Sequence, residues 1–326
     1  MIAGVTLPKV IFELLMYLCL GLCIWHALRQ GTARRARLIE LGAGVLYGVT
    51  LETLTILQFH SYRYGHFLVM LGTVPLCIGV GWGIILYYAM QLADGLPLPR
   101  WATPALVALL GLNIDLAMDA VAIRIDMWHW TFLKLTDQWF GVPFGNFYAW
   151  FVVLCSASAL LWLARPLTSQ PGWRGPLAAL GAIVGSVVIL ALLDELQVRY
   201  ALLPGAIQWL PMTILLVAGL VVVTWGAWRT RSAPRVLLAR HTTADFAPAL
   251  VPVFFHVFFF SMLFVAGIAS HLPVLIAVSL AMLLLGVAVD GALVMRVQSS
   301  ASRTASPEMA SASWARSWRR QRHELT

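Results

Sequence analysis

About nine stretches of roughly 20 mostly apolar residues follow one another along the chain, each long enough to cross a bilayer as a helix. They lie near residues 8–28, 39–60, 67–92, 101–122, 146–164, 176–198, 207–228, 247–269 and 272–295. Inside hydrocarbon every backbone amide must find its partner within the protein, and runs of this length meet that demand as helices. Charged residues make up 11% of the chain against 60% apolar ones, too few to clothe a water-facing surface. The fold class expected is therefore all-α, a polytopic protein of a cell membrane. In the first stretch the cationic cluster follows the apolar run, so it reads as a span and not as a cleavable leader. The break Ser270-His271-Leu272-Pro273 is short enough for a tight helical hairpin.

The net charge of +8 is topological. With the amino terminus outside, only Lys9, Arg63, Arg124, Lys134 and Arg199 fall on the external side, and the other 17 of the 22 basic residues are cytoplasmic. That asymmetry alternates connection by connection. It predicts an external amino terminus and a cytoplasmic carboxy terminus, and it removes nucleic acid as a partner. Residues 1–297 form the expected membrane domain. The tail 298–326 is Ser/Ala-rich, then basic with Trp314 and Trp318, and is expected to be disordered or to lie on the anionic inner leaflet. The cysteines Cys19, Cys23, Cys77 and Cys155 all lie in apolar runs and read as buried thiols.

A charge at mid-bilayer costs at least ~2.5–3.5 kcal/mol, so each intramembrane carboxylate needs a reason. The second, fourth and sixth spans carry carboxylates and are expected to be interior helices. Glu52 stands eight residues before His60, roughly 12 Å below the outer end at ~1.5 Å per residue. Asp115 and Asp119 share one helix face at i,i+4 and repel when both are ionised. Asp194 and Glu195 differ by about 100° around their helix, so at most one of them faces that cavity. Glu13 sits near a span end, where a carboxylate simply reaches water. Asp290 alone falls toward the cytoplasmic end, where it either snorkels or pairs with Arg296. The carboxylates thus gather in the outer half, beneath connections rich in rings: His60, Tyr62, Tyr64 and His66, then Trp128, His129, Trp130 and Trp139. The plain account of Trp128 and Trp130 is an interfacial aromatic belt. Glu52 and Asp115, two turns deep, do not reach water as simply as a carboxylate at a helix end, leaving a lined cavity or a structural ion pair.

Absent motifs narrow the chemistry. The eight histidines are scattered, without the HxxxH or HxxHH spacing that membrane di-iron hydroxylases require. There is no phosphate-cradling glycine loop, no dinucleotide fingerprint and no GxSxG elbow. Asn113 to Asp119 is similar in spacing to the Asp-rich signature of intramembrane prenyltransferases, but lacks its extra aspartates. No metal ligand set and no cofactor are expected. What remains suits acid catalysis on a lipophilic substrate, with a carboxylic acid giving a proton and ring faces stabilising a transient cation.

Three patches carry a resemblance: Glu52 with Tyr62-Arg63-Tyr64-Gly65; Gly72-Thr73-Val74-Pro75-Leu76 running into Trp82 and Tyr87; and Asp115 to Asp119 with Trp128-His129-Trp130 and the string from Trp139 to Trp150. Together they resemble the membrane carotenoid-biosynthesis proteins that include the acyclic carotenoid hydratases. The likeness is strongest over about 40–165 and weaker to about 228. It departs at Ala120, where the family tends to have proline, and in the last two spans, which have no evident counterpart. The resemblance implies a cofactor-independent hydro-lyase adding water across a terminal isoprenoid double bond to give a tertiary alcohol. It implies Glu52, Asp115 and Asp119 as catalytic carboxylates: Asp115 or Glu52 protonates the alkene, and Asp119 orders or deprotonates water. Tyr64, Trp128 and Trp130 would line the cation site, and Asn146 would orient water or a carboxylate. Implied partners are the carotenoid or isoprenoid substrate, membrane lipids and other pigment-synthesis enzymes. The alternatives are a non-enzymatic carrier or scaffold for carotenoids and lipids, or another isoprenoid-modifying membrane enzyme.

The charge pattern makes a direct prediction. Reporter fusions after Arg37, Gly175 and Arg231 should report cytoplasm, and fusions near Gly65 and Lys134 the exterior. A cytoplasmic signal at Lys134 would overturn the topology.

Overall fold

A computed structural model of the chain describes residues 4–230 and 247–304, with side chains up to 291. The connection carrying Arg231, Arg235 and Arg240 and the tail beyond Thr304 lie outside the described residues, as does the side chain of Arg296. Ten helices are described: α1 (Leu7–Leu28), α2 (Arg34–Phe59), α3 (Leu76–Asp94), α4 (Thr103–Ala122), α5 (Phe144–Thr168), α6 (Arg174–Ala201), α7 (Leu210–Thr230), α8 (Leu250–Val265), α9 (Ile268–His271) and α10 (Val274–Thr304). All but the single turn α9 are long and apolar enough to cross a membrane, nine spans among the described residues.

Four short strands lie at one end of the bundle. β1 (Tyr62–Tyr64) pairs antiparallel with β4 (Trp128–Trp130), and β2 (Met70–Leu71) with β3 (Val74–Pro75). This end is called the ribbon end. At the opposite, arginine-bearing end, Arg37 and Arg165 hold Glu40 and Asp94 in one network, with N···O distances of 2.5–3.0 Å.

Close packing of α2 on α3 sets the frame. Gly44 and Gly48 on α2 face Gly79 and Gly83 on α3, a small-residue stripe at four-residue spacing on both helices. A Cβ on Gly48 would fall 2.5 Å from Trp82 Cβ and 2.9 Å from the Gly79 carbonyl oxygen, so the backbones can approach only because it is absent. Further along, Ser186 donates to the Tyr47 hydroxyl at 2.8 Å and meets Ser156 Oγ at 2.6 Å, tying α2, α5 and α6.

The structure corrects several expectations. The third span begins at Leu76, not 67: Phe67 to Pro75 is apolar but folds into the β2–β3 hairpin. The last hairpin breaks earlier than Ser270, at Ala266 and the left-handed Gly267 (φ 69°), with α9 between the two spans. α4 is interior, but α6 is peripheral: Leu177, Leu180, Val184, Val188, Leu192 and Leu196 form an outward stripe, and only its inner face is covered. α3 is interior although its middle carries no charge, because its glycines admit α2. The carboxylates are also less one-sided than expected, since Glu40 is buried at the arginine end.

The last two spans dock through buried polar contacts. Asn113 on α4 donates to the Met282 carbonyl at 3.0 Å and lies 3.0 Å from His256 Nε2, while Tyr88 donates to Asp290 at 3.0 Å. Cys19, Cys23 and Cys77 are buried and Cys155 partly so, all as free thiols.

Gly48→Ala tests the frame. Alanine is the better helix former, but overpacking here should cost about 1–3 kcal/mol and lower the unfolding temperature in detergent. Gly42, with nothing within 4 Å of an added Cβ, should tolerate the same change. Equal behaviour of the two variants would refute the close-packed stripe.

Candidate active site

A cavity of about 420 Å³ opens at the ribbon end, between α2, α3, α4, α5 and α6 and beneath the β1–β4 ribbon. That volume lies within the ~300–1,000 Å³ usual for small-molecule sites. The register of the ribbon explains its roof. Tyr62 pairs with Trp130 and Tyr64 with Trp128, so alternation turns all four rings to one face and Arg63 and His129 to the other. The four rings line the cavity. Trp82 and Trp150 add a wall, their ring centroids 4.1 Å apart. The ribbon is anchored from outside: Lys9 on α1 reaches Asp126 at 2.7 Å, and Asp126 meets His129 at 2.6 Å. Partial burial alone would raise the Asp126 carboxyl, but these two partners bring it below its usual range.

Glu52 is buried and binds three neutral donors. Tyr62 and Tyr64 donate to Oε2, the second at 2.7 Å, and the Trp82 indole to Oε1 at 2.7 Å. Burial and the adjacent Glu52 carboxylate push both phenols well above their usual range, which keeps them as donors.

Asp115 and Asp119 point the same way from α4, as their spacing predicts, and Asn146 bridges them. One amide nitrogen donates to Asp119 Oδ2 at 2.7 Å and to Asp115 Oδ2 at 3.1 Å. Asp119 and Asn146 line the cavity, whereas Asp115 stands behind them, fully buried, its Oδ1 without a partner among the described residues. The string from Trp139 delivers Asn146. Gly141 turns at φ 88°, where its Cβ would fall 2.8 Å from Leu135 Cα. Pro143 is extended and starts α5, and Gln138 accepts the Phe144 amide at 2.7 Å. Arg124 braces this turn through the carbonyls of Ala120, Leu135 and Phe140. The positive end of the α5 dipole thereby meets the carboxylate pair.

The residues named from the sequence converge on one cavity: Glu52, Asp119, Tyr64, Trp128, Trp130 and Asn146 line it, with Asp115 one layer back. Glu13 is corrected. It does not reach water but is buried, accepting from the amides of Leu68 and Val69 at 2.7 and 3.0 Å and from Tyr17 at 2.7 Å. The first two of these bonds tie the segment entering the β2–β3 hairpin to α1, and the third lies within α1 itself. Of the pair on α6, Asp194 lines the cavity and Glu195 turns to Arg199 at 2.7 Å. Tyr62, Trp82 and Gln197 were not singled out as site residues by sequence reasoning; the first was visible in the Tyr-x-Tyr alternation that makes β1.

One asymmetry organises the bundle. Among the described residues, buried Glu40 at the arginine end has guanidinium partners, whereas Glu13, Glu52, Asp115 and Asp119 have only neutral donors, as does Asp290, which takes one bond from Tyr88.

A comparison with family models matches residues 9–221 to one described as "Carotenoid biosynthesis protein". The match begins earlier than the resemblance in the sequence suggested, taking in α1, and stops before the last two spans. No curated protein and no solved structure gave a match. Covering well over half of the chain, with the whole of the carboxylate cavity's α2–α6 framework inside it, the family match shows that the chain belongs to the carotenoid biosynthesis protein family.

Proposed function

We propose that the cavity hydrates the terminal isoprenoid double bond of an acyclic carotenoid, giving a tertiary alcohol without a redox cofactor. The observation that carries this reading is the Asp115–Asn146–Asp119 bridge opening onto a ring-lined cavity that also holds Glu52. Two carboxylates served by one amide are short of donors. A hydrogen bond to a charged group contributes ~1.5–3 kcal/mol, so one amide does not offset the cost of two buried charges at ~2.5–3.5 kcal/mol or more each. The pair holds one proton, with Asp119 at the cavity wall to deliver it and Asp115 behind to share it.

Glu52 is the opposite case. Three donors converge on its two oxygens, an arrangement suited to a carboxylate, and in this scheme that carboxylate stabilises the cation left on the substrate. Tyr64, Trp128 and Trp130 present ring faces to the same cation. This assigns the proton donor to Asp119, where the sequence alone leaves Asp115 or Glu52. The positive-inside pattern sets the ribbon end toward the exterior of the cell membrane. The cavity accommodates one end group; the rest of the polyene extends beyond it.

A carrier for a hydrocarbon would use the rings but would gain nothing from Glu52, Asp115 and Asp119, whose burial is costly. That separates the two readings by experiment. In a host that accumulates an acyclic carotenoid, the wild-type chain should yield pigment heavier by one water per modified end. Glu52→Gln, Asp115→Asn and Asp119→Asn should reduce this at least ~100-fold while leaving membrane-inserted protein at wild-type levels. Asp290→Asn, at the arginine end, should leave activity unchanged. Hydration at wild-type rates in the Glu52 and Asp119 variants would show that the cavity is not the active site.

A further inference from the structure

Asp194 is a cavity carboxylate that this scheme does not use. It stands on the inner face of α6, and among the described residues no hydrogen bond or ion pair occupies it, unlike its neighbour Glu195. Gln197, nearly one turn on, lines the cavity beside it. The Gln197 amide packs on Gly145, where a Cβ would fall 3.1 Å from both Nε2 and Oε1. Gly145 directly precedes Asn146. The first turn of α5 is therefore flanked by two polar stations: Asp119, reached by the Asn146 amide, and the Asp194–Gln197 face of α6.

Addition of water across a double bond needs two groups at different positions. One gives a proton to the alkene, and the other takes a proton from the attacking water. Glu52 is poorly suited to the second task, because both of its oxygens already accept, Oε2 twice and Oε1 once. Asp194 has both oxygens unengaged and an amide beside it that can hold a water by either end.

We infer that Asp194 is the general base of the reaction, with Gln197 positioning the attacking water. The inference rests on the hydratase reading above. The alkene π pair takes the proton held by the Asp115–Asp119 pair, forming a C–H bond and leaving a tertiary cation. Water oxygen then forms the C–O bond to that carbon. Its surplus proton passes to Asp194 and returns to the pair through solvent. One water is consumed, and nothing is oxidised or reduced.

Deuterium separates the two proton transfers. The full-length purified protein is incubated in deuterated water with an acyclic carotenoid, and both alcohol and recovered substrate are analysed by mass spectrometry. Asp194→Asn should lower alcohol formation at least ~100-fold yet keep deuterium uptake into the alkene end group of recovered substrate, because protonation and its reversal need only the Asp115–Asp119 pair. Retained uptake also shows the variant to be folded. Asp119→Asn should lose both signals, and Asp194→Glu should recover part of the alcohol. The inference is overturned if Asp194→Asn makes alcohol at the wild-type rate. It is equally overturned if Asp194→Asn and Asp194→Glu both lose deuterium uptake along with alcohol. Failure of the wild-type chain to form alcohol would instead overturn the hydratase reading, and this inference with it.

Discussion

A single side-chain amide, that of Asn146, holds the carboxylates of Asp115 and Asp119 together inside a membrane-spanning bundle. Much of the surrounding structure exists to place that amide. The left-handed turn at Gly141, the extended Pro143, the Gln138 cap on Phe144 and the three carbonyl contacts of Arg124 all fix where α5 begins. Two acids that would repel if both were charged are thereby kept within reach of one donor and one proton. At the arginine end the same physical problem has another solution. Glu40 and Asp94 are neutralised by Arg37 and Arg165, which locks α2, α3 and α5 and leaves no chemistry over.

The room for the cavity comes from how α2 and α3 pack. Their facing glycines bring the backbones together and aim the Trp82 indole at Glu52. The ribbon then closes the top with four rings on one face. α8 contributes to this wall as well, through Phe255, although it lies beyond the family match. α8 is thus part of the site's enclosure, and α8 and α10 are held to α3 and α4 by Tyr88, Asn113 and His256.

How much of this was legible in the sequence follows from the range of the forces involved. Hydropathy is a local property, so the nine spans could be read directly, and the i,i+4 spacing placed Asp115 and Asp119 on one face. Period-two alternation in Tyr-x-Tyr and Trp-x-Trp was present, but the pairing of β1 with β4 joins segments more than 60 residues apart. Nothing local announces such a partner. Glu13 was misjudged for the same reason: its donors, Leu68 and Val69, come from a distant hairpin whose apolar residues look like the start of α3. Burial of α6 was overestimated because one inward carboxylate selects a face without demanding that the whole helix be covered. Asn146 was expected at the site only through the family resemblance; its bridging role required the geometry. The two-glycine stripes of α2 and α3 were in plain view and show that spacing of small residues is as informative here as spacing of charges.

The most direct test of the central claim is the origin of the product oxygen. The purified protein, given an acyclic carotenoid in oxygen-labelled water under an anaerobic atmosphere, should form a tertiary alcohol that carries the label. An alcohol formed only when dioxygen is admitted, with its oxygen drawn from that gas, would contradict the account.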